Sequence, residues 1–205
     1  IIPNGVEVRR FGPQVSPLPE LADGKLNVLF LGRLERRKGL PYLLQAYALL
    51  KKRWPKLRLV IVGGDGGMMA PCRRFVERMG LEDVLFAGYV PDEEVPRYYR
   101  SAHIFCAPNT GAESQGIVLL EAMASGLPIV ASRIEGFAEV LEEGRQGLLV
   151  PPGDGYALAE ALDHLLADEA LRQAMAQEAL RTAALYSWGR VAEQVLSYYQ
   201  EVAGA

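Results

Sequence analysis

The sequence is poor in the residues that most often build metal centres and disulfide frameworks. Among its 205 residues are two cysteines, Cys72 and Cys106, and two histidines, His103 and His164. The cysteines lie far apart and belong to no CxxC motif or Cys/His cluster, so neither a zinc site nor a disulfide framework is predicted. Neither histidine has an acidic or hydroxyl residue at a spacing typical of a catalytic pair, and we assign no functional role to either.

Long apolar runs and an excess of positive charge are also missing. No run approaches the roughly 20 apolar residues that a membrane-spanning helix needs, and no secretory signal precedes the first segment. The net charge of -3 argues against a broad surface for nucleic acid or anionic lipid, so any anion site must be local. We therefore expect a cytoplasmic protein that does not bind nucleic acid.

Common nucleotide-binding and hydrolase motifs are absent as well. The loop after the first predicted strand has only Gly32 and Gly39, so it lacks the G-x-G-x-x-G dinucleotide motif, and no GxxxxGK[ST] phosphate loop occurs. A G-x-S-x-G nucleophile motif is missing too. The glycines of GGDGG at 63–67 are interpreted as residues for tight turns and for close approach of the backbone to a ligand.

A regular alternation of strands and helices is what the chain does have. With 50% hydrophobic and 23% charged residues, its composition is typical of one ordinary domain or slightly more. Continuous apolar runs predict strands, and apolar residues at helical spacing predict helices. The predicted strands cover 27–31, 57–62, 84–87, 104–107, 128–131 and 147–150. The predicted helices cover 40–53, 70–79, 91–101, a segment that starts near Gln115, 136–142, 156–166, 169–185 and 187–202.

This alternation predicts an α/β fold with a doubly wound, six-stranded parallel sheet of the Rossmann-like type. If the strand order is 3-2-1-4-5-6, strands one and four are neighbours at the point where the order reverses. Ligands bind beyond the carboxyl ends of the strands at that point. We therefore expect the loops after strands one and four to meet in space.

The stretch 108–130 follows the fourth strand and carries two carboxylates, Glu113 and Glu121. A helix that starts near Gln115 would place Glu121 about 9 Å along its axis. The two acids could then hold opposite ends of one elongated ligand, and a carboxylate in so apolar a helix needs a partner. The backbone N–H groups of Gly116, Ile117 and Val118 would lie at the positive helix end, which suits a phosphate. On the pattern alone, a surface Glu113 and a solvated Glu121 are equally open.

The loop after the first strand, GRLERRKG at 32–39, has four bases and one acid in an otherwise acidic chain. Lys38 enters the first turn of the next helix, where a cation is unfavourable unless an anion is bound nearby. Arg33 offers a bidentate fork and Lys38 a point charge for such an anion. Arg36 and Arg37 are interpreted as ordinary solvated loop charges.

The loop after the third strand could present an apolar wall to a flat ring through Tyr89 and Val90. Packing of Tyr89 on neighbouring loops is an equally good interpretation.

These motifs together resemble a known family. GRLERRKG at 32–39, GGDG at 63–66, FAGYVPDEEVPRYYRSAHIFCAPN at 86–109 and ESQGIVLLEAMASGLPIVAS at 113–132 resemble the nucleotide-sugar-binding C-terminal half of GT-B glycosyltransferases, specifically the large retaining family four, the glycosyl transferases group 1. The resemblance covers nearly the whole chain. Gln115 departs from it, because family members commonly have a residue of another shape there, so packing against the sugar is expected to differ.

The resemblance implies transfer of a hexose-type sugar from a UDP-, GDP- or ADP-sugar to an acceptor, with retention at the anomeric carbon and without a metal or cofactor. Arg33 and Lys38 would clamp the donor diphosphate, and Glu121 would accept hydrogen bonds from the ribose hydroxyls. Glu113 would be the catalytic-site residue beside the transferred sugar, as a nucleophile or as an orienting group. The remaining residues assigned to the donor are Gly116, Ile117, Val118, Tyr89, Val90 and Gly64.

The resemblance also implies a domain arrangement. Residues 1–24 would be an interdomain linker, 25–185 the Rossmann-like domain, and 186–205 a C-terminal helix that crosses back to an N-terminal acceptor domain that this chain lacks. We therefore expect the chain alone to bind nucleotide weakly and to transfer nothing. Any membrane contact, as in a full-length protein peripheral at the inner membrane, would be made by the missing domain. The alternatives are a non-catalytic nucleotide-binding module and half of a GT-B-type epimerase or phosphorylase.

Overall fold

A sheet of six parallel strands forms the centre of the structure, a computed structural model that describes residues 3–111 and 113–203. The strands follow the order β3-β2-β1-β4-β5-β6, which confirms the predicted doubly wound topology. Their bounds are β1 Leu26–Leu31, β2 Leu57–Val62, β3 Val84–Gly88, β4 Ile104–Ala107, β5 Ile129–Ser132 and β6 Gly147–Val150.

Helices cover both faces of this sheet and form the C-terminal part of the described chain. They are α1 Val8–Phe11, α2 Leu40–Lys51, α3 Met69–Met79, α4 Val95–Ser101, α5 Ile117–Ala124, α6 Glu135–Ala138, α7 Gly155–Ala167, α8 Glu169–Leu185 and α9 Trp188–Ala203. A 3₁₀ turn at Pro19–Leu21 and the short α1 fall within 1–24, where the sequence predicted no helix or strand.

The predicted start of α4 was wrong. The helix begins at Val95 rather than at Pro91, and the backbone N–H of Glu94 donates to the carbonyl of Pro91 at 2.9 Å in a turn before it. Pro96 is the reason, because proline has no N–H and is tolerated only in the first turn of a helix. The helix can therefore begin only just before Pro96.

Alternate strand side chains fill two separate cores. Val28 and Phe30 of β1 face the layer that contains α2, α3 and α7, while Leu29 faces the layer that contains α4, α5 and α8. This two-sided burial is typical of central strands in a parallel sheet. Phe11 of α1 joins the second core, so the start of the chain packs on the domain.

His103 has a structural contact just before β4. Its Nδ1 accepts a hydrogen bond of 3.0 Å from the backbone N–H of Asn27, while the buried Asn27 side chain donates to the carbonyls of Leu21 and Ser101. Burial lowers the pKa of His103, which favours the neutral ring that can accept this bond.

The predicted segments 1–24 and 186–205 differ in how they pack. Phe11 and Leu21 are buried, whereas α9 exposes Leu196 and Tyr199. Residues 1, 2, 204 and 205 of these segments lie outside the described residues. Among the helices described, none is long and apolar enough to cross a membrane.

Candidate functional site

The loops after β1 and β4 meet at the carboxyl edge of the sheet, as predicted. The two strands pair directly, with Val28 opposite Ile104. Gly39 has a φ of 72°, and a Cβ there would overlap the carbonyl oxygen of Pro108, so only glycine allows this close approach. The backbone N–H of Thr110 then donates to the carbonyl of Arg37 at 2.8 Å. The two loops form one rim around the end of β1 and β4.

Glu113 lies in this rim and contacts Lys38 directly. Lys38 Nζ is 2.5 Å from Glu113 Oε2, and 13% and 19% of the two side chains are exposed. The buried Asn109 donates to the same oxygen at 2.9 Å, and Arg37 Nη1 lies 3.5 Å from it. Three donors thus converge on one carboxylate oxygen.

The interpretation of Arg37 as a solvated loop charge was wrong. Besides Glu113, its Nε donates to Glu35 Oε2 at 2.9 Å, while Arg33 Nε lies 3.4 Å from the other Glu35 oxygen. The charges of the β1 loop therefore form a connected network that includes Arg33, Glu35, Arg37 and Glu113. Arg36 is exposed, as predicted.

Glu121 occupies a different environment on α5. Its Oε2 accepts a hydrogen bond of 2.9 Å from the hydroxyl of Tyr99, whose side chain is fully buried. Burial raises the pKa of Glu121 above its ordinary value, and the bond from Tyr99 partly offsets that shift. Tyr99 is thus the partner that a carboxylate in this apolar helix needs.

α1 and the loop after β3 meet beside Glu121. Arg10 Nη2 is 2.6 Å from both the carbonyl oxygen and Oδ2 of Asp92. The positive charge of Arg10 lowers the pKa of Glu121 and the negative charge of Asp92 raises it, although burial has the larger effect. The start of the chain therefore contributes to the electrostatics of Glu121.

The helix that follows Glu113 begins two residues later than predicted. Gly116 has a φ of 68°, in the left-handed region, so the right-handed α5 can start only at Ile117. A Cβ on Gly116 would lie 2.5 Å from the ring of Phe137, which fixes the position of the loop against α6. The backbone N–H groups at the helix start remain part of the candidate site, with Val118 at its second position.

Four of the predicted residues line one groove: Arg33, Gly64, Tyr89 and Val90. The groove encloses about 400 Å³, and Leu31, Val62 and Val95 supply apolar walls. Tyr89 is 81% exposed, so it does not pack into neighbouring loops. A flat, partly apolar ligand group fits such a groove. A larger cavity of about 650 Å³ lies between α2 and α3, and no predicted site residue lines it.

Four residues at this edge were missed by the sequence analysis: Arg10, Arg37, Tyr99 and Asn109. Asn109 was recoverable, because a polar residue directly after a buried strand of a parallel sheet lies at the binding edge. Tyr99 and Arg10 carried no local signal, since their contacts to Glu121 and Asp92 join distant parts of the chain. Within 3–111 and 113–203, no cluster of three or more His, Cys, Asp or Glu residues could hold a metal ion.

The sequence profile described as "Glycosyl transferases group 1" matches residues 17–182. The chain belongs to the glycosyl transferases group 1 family. The fold is that of the C-terminal domain of GT-B glycosyltransferases, which confirms the family and fold class that the motifs predicted.

Proteins similar to this chain include two enzymes and one isolated domain. The chain is 42% identical over 207 residues to a phosphatidyl-myo-inositol mannosyltransferase from Mycobacterium leprae, covering 98% of this chain and 53% of that protein. Sucrose-phosphate synthase from Thermosynechococcus elongatus superposes with a TM-score of 0.84 and 31% identity, over 99% of this chain and 52% of that one. The C-terminal domain of a group 1 family protein from Francisella tularensis superposes with a TM-score of 0.82 and 26% identity, over 90% of this chain and all of that domain. The chain thus spans about half the length of the curated relatives it matches.

Proposed function

We propose that this chain is the donor-binding domain of a retaining glycosyltransferase that uses a nucleotide-diphosphate sugar. The observation that carries the proposal is the meeting of the β1 and β4 loops, which brings Lys38 to Glu113 beside the start of α5. A cation, a helix N-terminus and a carboxylate at one sheet edge suit a phosphate with a hydroxylated group next to it.

Each part of the donor has a counterpart in the proposal. The nucleobase lies in the groove of Arg33, Gly64, Tyr89 and Val90, and the ribose hydroxyls donate to Glu121. An ionised carboxylate accepts such bonds well. Because the Tyr99 hydroxyl donates to Oε2 of Glu121, the proposal assigns the bonds from the ribose to Oε1.

The diphosphate lies between these two regions in the proposed arrangement. Lys38 and Arg33 contact the diphosphate, and the backbone N–H groups of Gly116, Ile117 and Val118 face the distal phosphate and the sugar.

The proposed reaction breaks the bond between the anomeric carbon and the distal phosphate oxygen. The electron pair stays with the diphosphate, while the acceptor hydroxyl oxygen bonds to the same carbon and its proton passes to the departing phosphate. Lys38 and the start of α5 stabilise the negative charge that develops on the diphosphate, a task for which no metal is invoked. Glu113 is proposed to orient the sugar and to stabilise positive charge on its ring.

Our proposals for the donor sugar and the acceptor are based on similar proteins and not on contacts within this chain. The similarity to a mannosyltransferase favours a mannosyl donor as the first one to test, with the carrier base left among uridine, guanosine and adenosine. The acceptor is proposed to bind a second domain of the full-length protein. The chain alone should therefore bind the donor without transferring sugar. We place it in the cytoplasm, and any membrane contact of the full-length protein would be made by its second domain.

Calorimetric titration with UDP, GDP, ADP and NAD tests the proposal. We expect one of the three diphosphates to bind and NAD not to bind, and we expect sugar transfer only when the full-length protein is supplied with the matching nucleotide sugar. Binding without transfer by the full-length protein would favour the non-catalytic module. Binding of NAD alone, or of no nucleotide, would contradict the proposal.

A further inference from the structure

Gln115 ties the N-terminal segment of the chain to the loop that carries Glu113. The backbone N–H of Asn4 donates to Oε1 of Gln115 at 2.6 Å, and Nε2 of Gln115 donates to the carbonyl of Asn4 at 3.4 Å. This two-point bond between a side-chain amide and one peptide segment fixes orientation as well as distance. It links residues 111 positions apart, so it constrains the loop from outside its own sequence.

The same segment is anchored on its other side to the start of α9. The backbone N–H of Val6 donates to the carbonyl of Tyr186 at 2.8 Å, and Val6 forms a parallel bridge with Ser187. Gly5 lies against Trp188, because a Cβ there would be 2.6 Å from a ring carbon. Residues 4–6 are therefore held at a fixed place, and Gln115 holds the loop to that place.

The segment also reaches the other end of the candidate site, by different contacts. Phe11 packs edge-on against Tyr99 with ring centres 5.7 Å apart, and Tyr99 donates to Glu121. These contacts are buried in the core and do not involve Gln115. A change at Gln115 should therefore disturb the Glu113 end and leave the Glu121 end in place.

We propose that Gln115 is a positioning residue for the phosphate and sugar end of the donor site. Together with the contact of Gly116 against Phe137, its bond to Asn4 sets the loop 113–116, and with it the direction of the Glu113 carboxylate and of the first N–H groups of α5. A loop is held in one geometry only by such specific contacts, and small displacements of binding groups are costly for a ligand. Affinity for the distal phosphate thus depends on the N-terminal segment. This inference rests on the proposed function, because it concerns the same site.

Paired nucleotide titrations on the whole chain test this role. In Gln115→Ala we expect the nucleoside diphosphate to bind about three- to tenfold more weakly, because the free energy of the lost link to Asn4 becomes a cost of ordering the loop. The monophosphate of the same base should bind within about twofold of wild type. Gln173→Ala is the matched control, since Gln173 bonds to Glu169 on the exposed surface of α8. It should change neither affinity.

The other end of the link gives a second, independent set of variants. Asn4→Pro removes the N–H that Gln115 accepts and should cause the same selective loss, whereas Asn4→Ala keeps that N–H and should bind like wild type. The double variant Asn4→Pro with Gln115→Ala should lose no more than Gln115→Ala alone, because that substitution already removes both hydrogen bonds of the link. Equal losses for the mono- and diphosphate, no loss, or additive losses would overturn the proposal.

Hydrogen exchange separates this inference from the proposed function. If wild type binds none of the nucleotides, the proposed function fails, but the link can still be measured at the amide of Leu119, which donates to the carbonyl of Gly116 at 2.8 Å at the start of α5. Faster exchange of this amide in Gln115→Ala than in wild type or Gln173→Ala would support the positioning of the loop. Unchanged exchange would overturn it.

Discussion

Glu113 and Glu121 are the same residue type eight positions apart, yet the fold places them in opposite surroundings. Glu113 lies in a partly exposed rim, where Lys38, Arg37 and Asn109 converge on one of its oxygens. Glu121 emerges from a buried helix and has the neutral hydroxyl of Tyr99 as its hydrogen-bond donor. Glu113 is paired directly with cations of the protein, whereas Arg10, whose positive charge acts on Glu121, is itself paired with Asp92.

This difference predicts different chemistry at the two ends of the site. Cations already paired with Glu113 can exchange that partner for a phosphate, so the rim suits an anionic group. A carboxylate with one neutral donor keeps acceptor capacity for further neutral donors, such as a pair of hydroxyl groups. The environment of each acid, rather than its residue type, thus separates a phosphate end from a nucleoside end.

Removal of the cation at the phosphate end should have the largest effect. Lys38→Ala should weaken binding of the cognate nucleoside diphosphate by about 2–3 kcal/mol, or roughly 30- to 150-fold, because a charge-assisted bond to phosphate is lost. Calorimetry gives the affinity, and Lys52→Ala, at an exposed lysine after α2, is the control. Binding by Lys38→Ala at wild-type affinity would show that Lys38 does not contact the phosphate, and it would contradict a phosphate end beside Glu113.

Neutralisation of the acid at the nucleoside end should have a smaller effect of about tenfold on nucleotide affinity, since Gln accepts hydrogen bonds more weakly than an ionised carboxylate. Glu121→Gln should also raise the melting temperature of the free protein at neutral pH. Burial raises the pKa of Glu121, so its charge is unfavourable in the folded state. Glu160→Gln, at an exposed position of α7, should change neither quantity. A lower melting temperature in Glu121→Gln would contradict the assigned environment.

The pH dependence separates the two ends further. Because the folded pKa of Glu121 is raised, the native state keeps a proton that the unfolded chain has lost just above the ordinary pKa of glutamate. The free energy of unfolding therefore falls as pH rises through this window. Nucleotide needs the ionised form, so its binding should release a fraction of one proton there and should weaken as pH falls. Calorimetry in buffers of different ionisation enthalpy measures the number of protons released on binding. If Glu121→Gln released the same number, the proton would come from another group.

The sheet was predictable because its signals are local and redundant. Strands such as β2, with the run LRLVIV between Pro55 and GGDGG, are apolar on both faces and bounded by turn residues. Helix starts were less predictable. Pro96 already argued against a helix start at Pro91, whereas only the left-handed Gly116 excludes a start at Gln115.

The acids of the site could be predicted from sequence, but their partners could not. Glu113 was singled out because it lies between the fourth strand and a predicted helix start. Lys38 was singled out as a cation in the first turn of the next helix, which was wrong, because it ends a 3₁₀ turn at Arg36–Lys38 before α2 begins at Leu40. The meeting of their loops follows from the predicted pairing of β1 with β4, but the ion pair between them depends on side-chain directions that the sequence does not encode. In the sequence, Tyr99 is typical of a core aromatic residue, and it is one. Its hydrogen bond to Glu121 depends on the direction of its hydroxyl group, which the sequence does not show.

Neutralisation of the acid at the phosphate end should give the smallest effect, and it should have the opposite sign. In the free protein Glu113 competes with phosphate for Lys38, and its negative charge repels the ligand. Glu113→Gln should therefore bind the nucleoside diphosphate about threefold more tightly, because Gln still accepts a hydrogen bond from Lys38 but holds it less strongly than an ionised carboxylate does. The full-length protein with the same substitution should lose sugar transfer, because the charge beside the sugar is gone. Tighter binding in Glu113→Gln and weaker binding in Glu121→Gln, measured with one nucleotide, would establish that the two acids act at different ends. Weaker binding in both variants would mean that Glu113 contacts the nucleotide directly and that the two ends are not distinct.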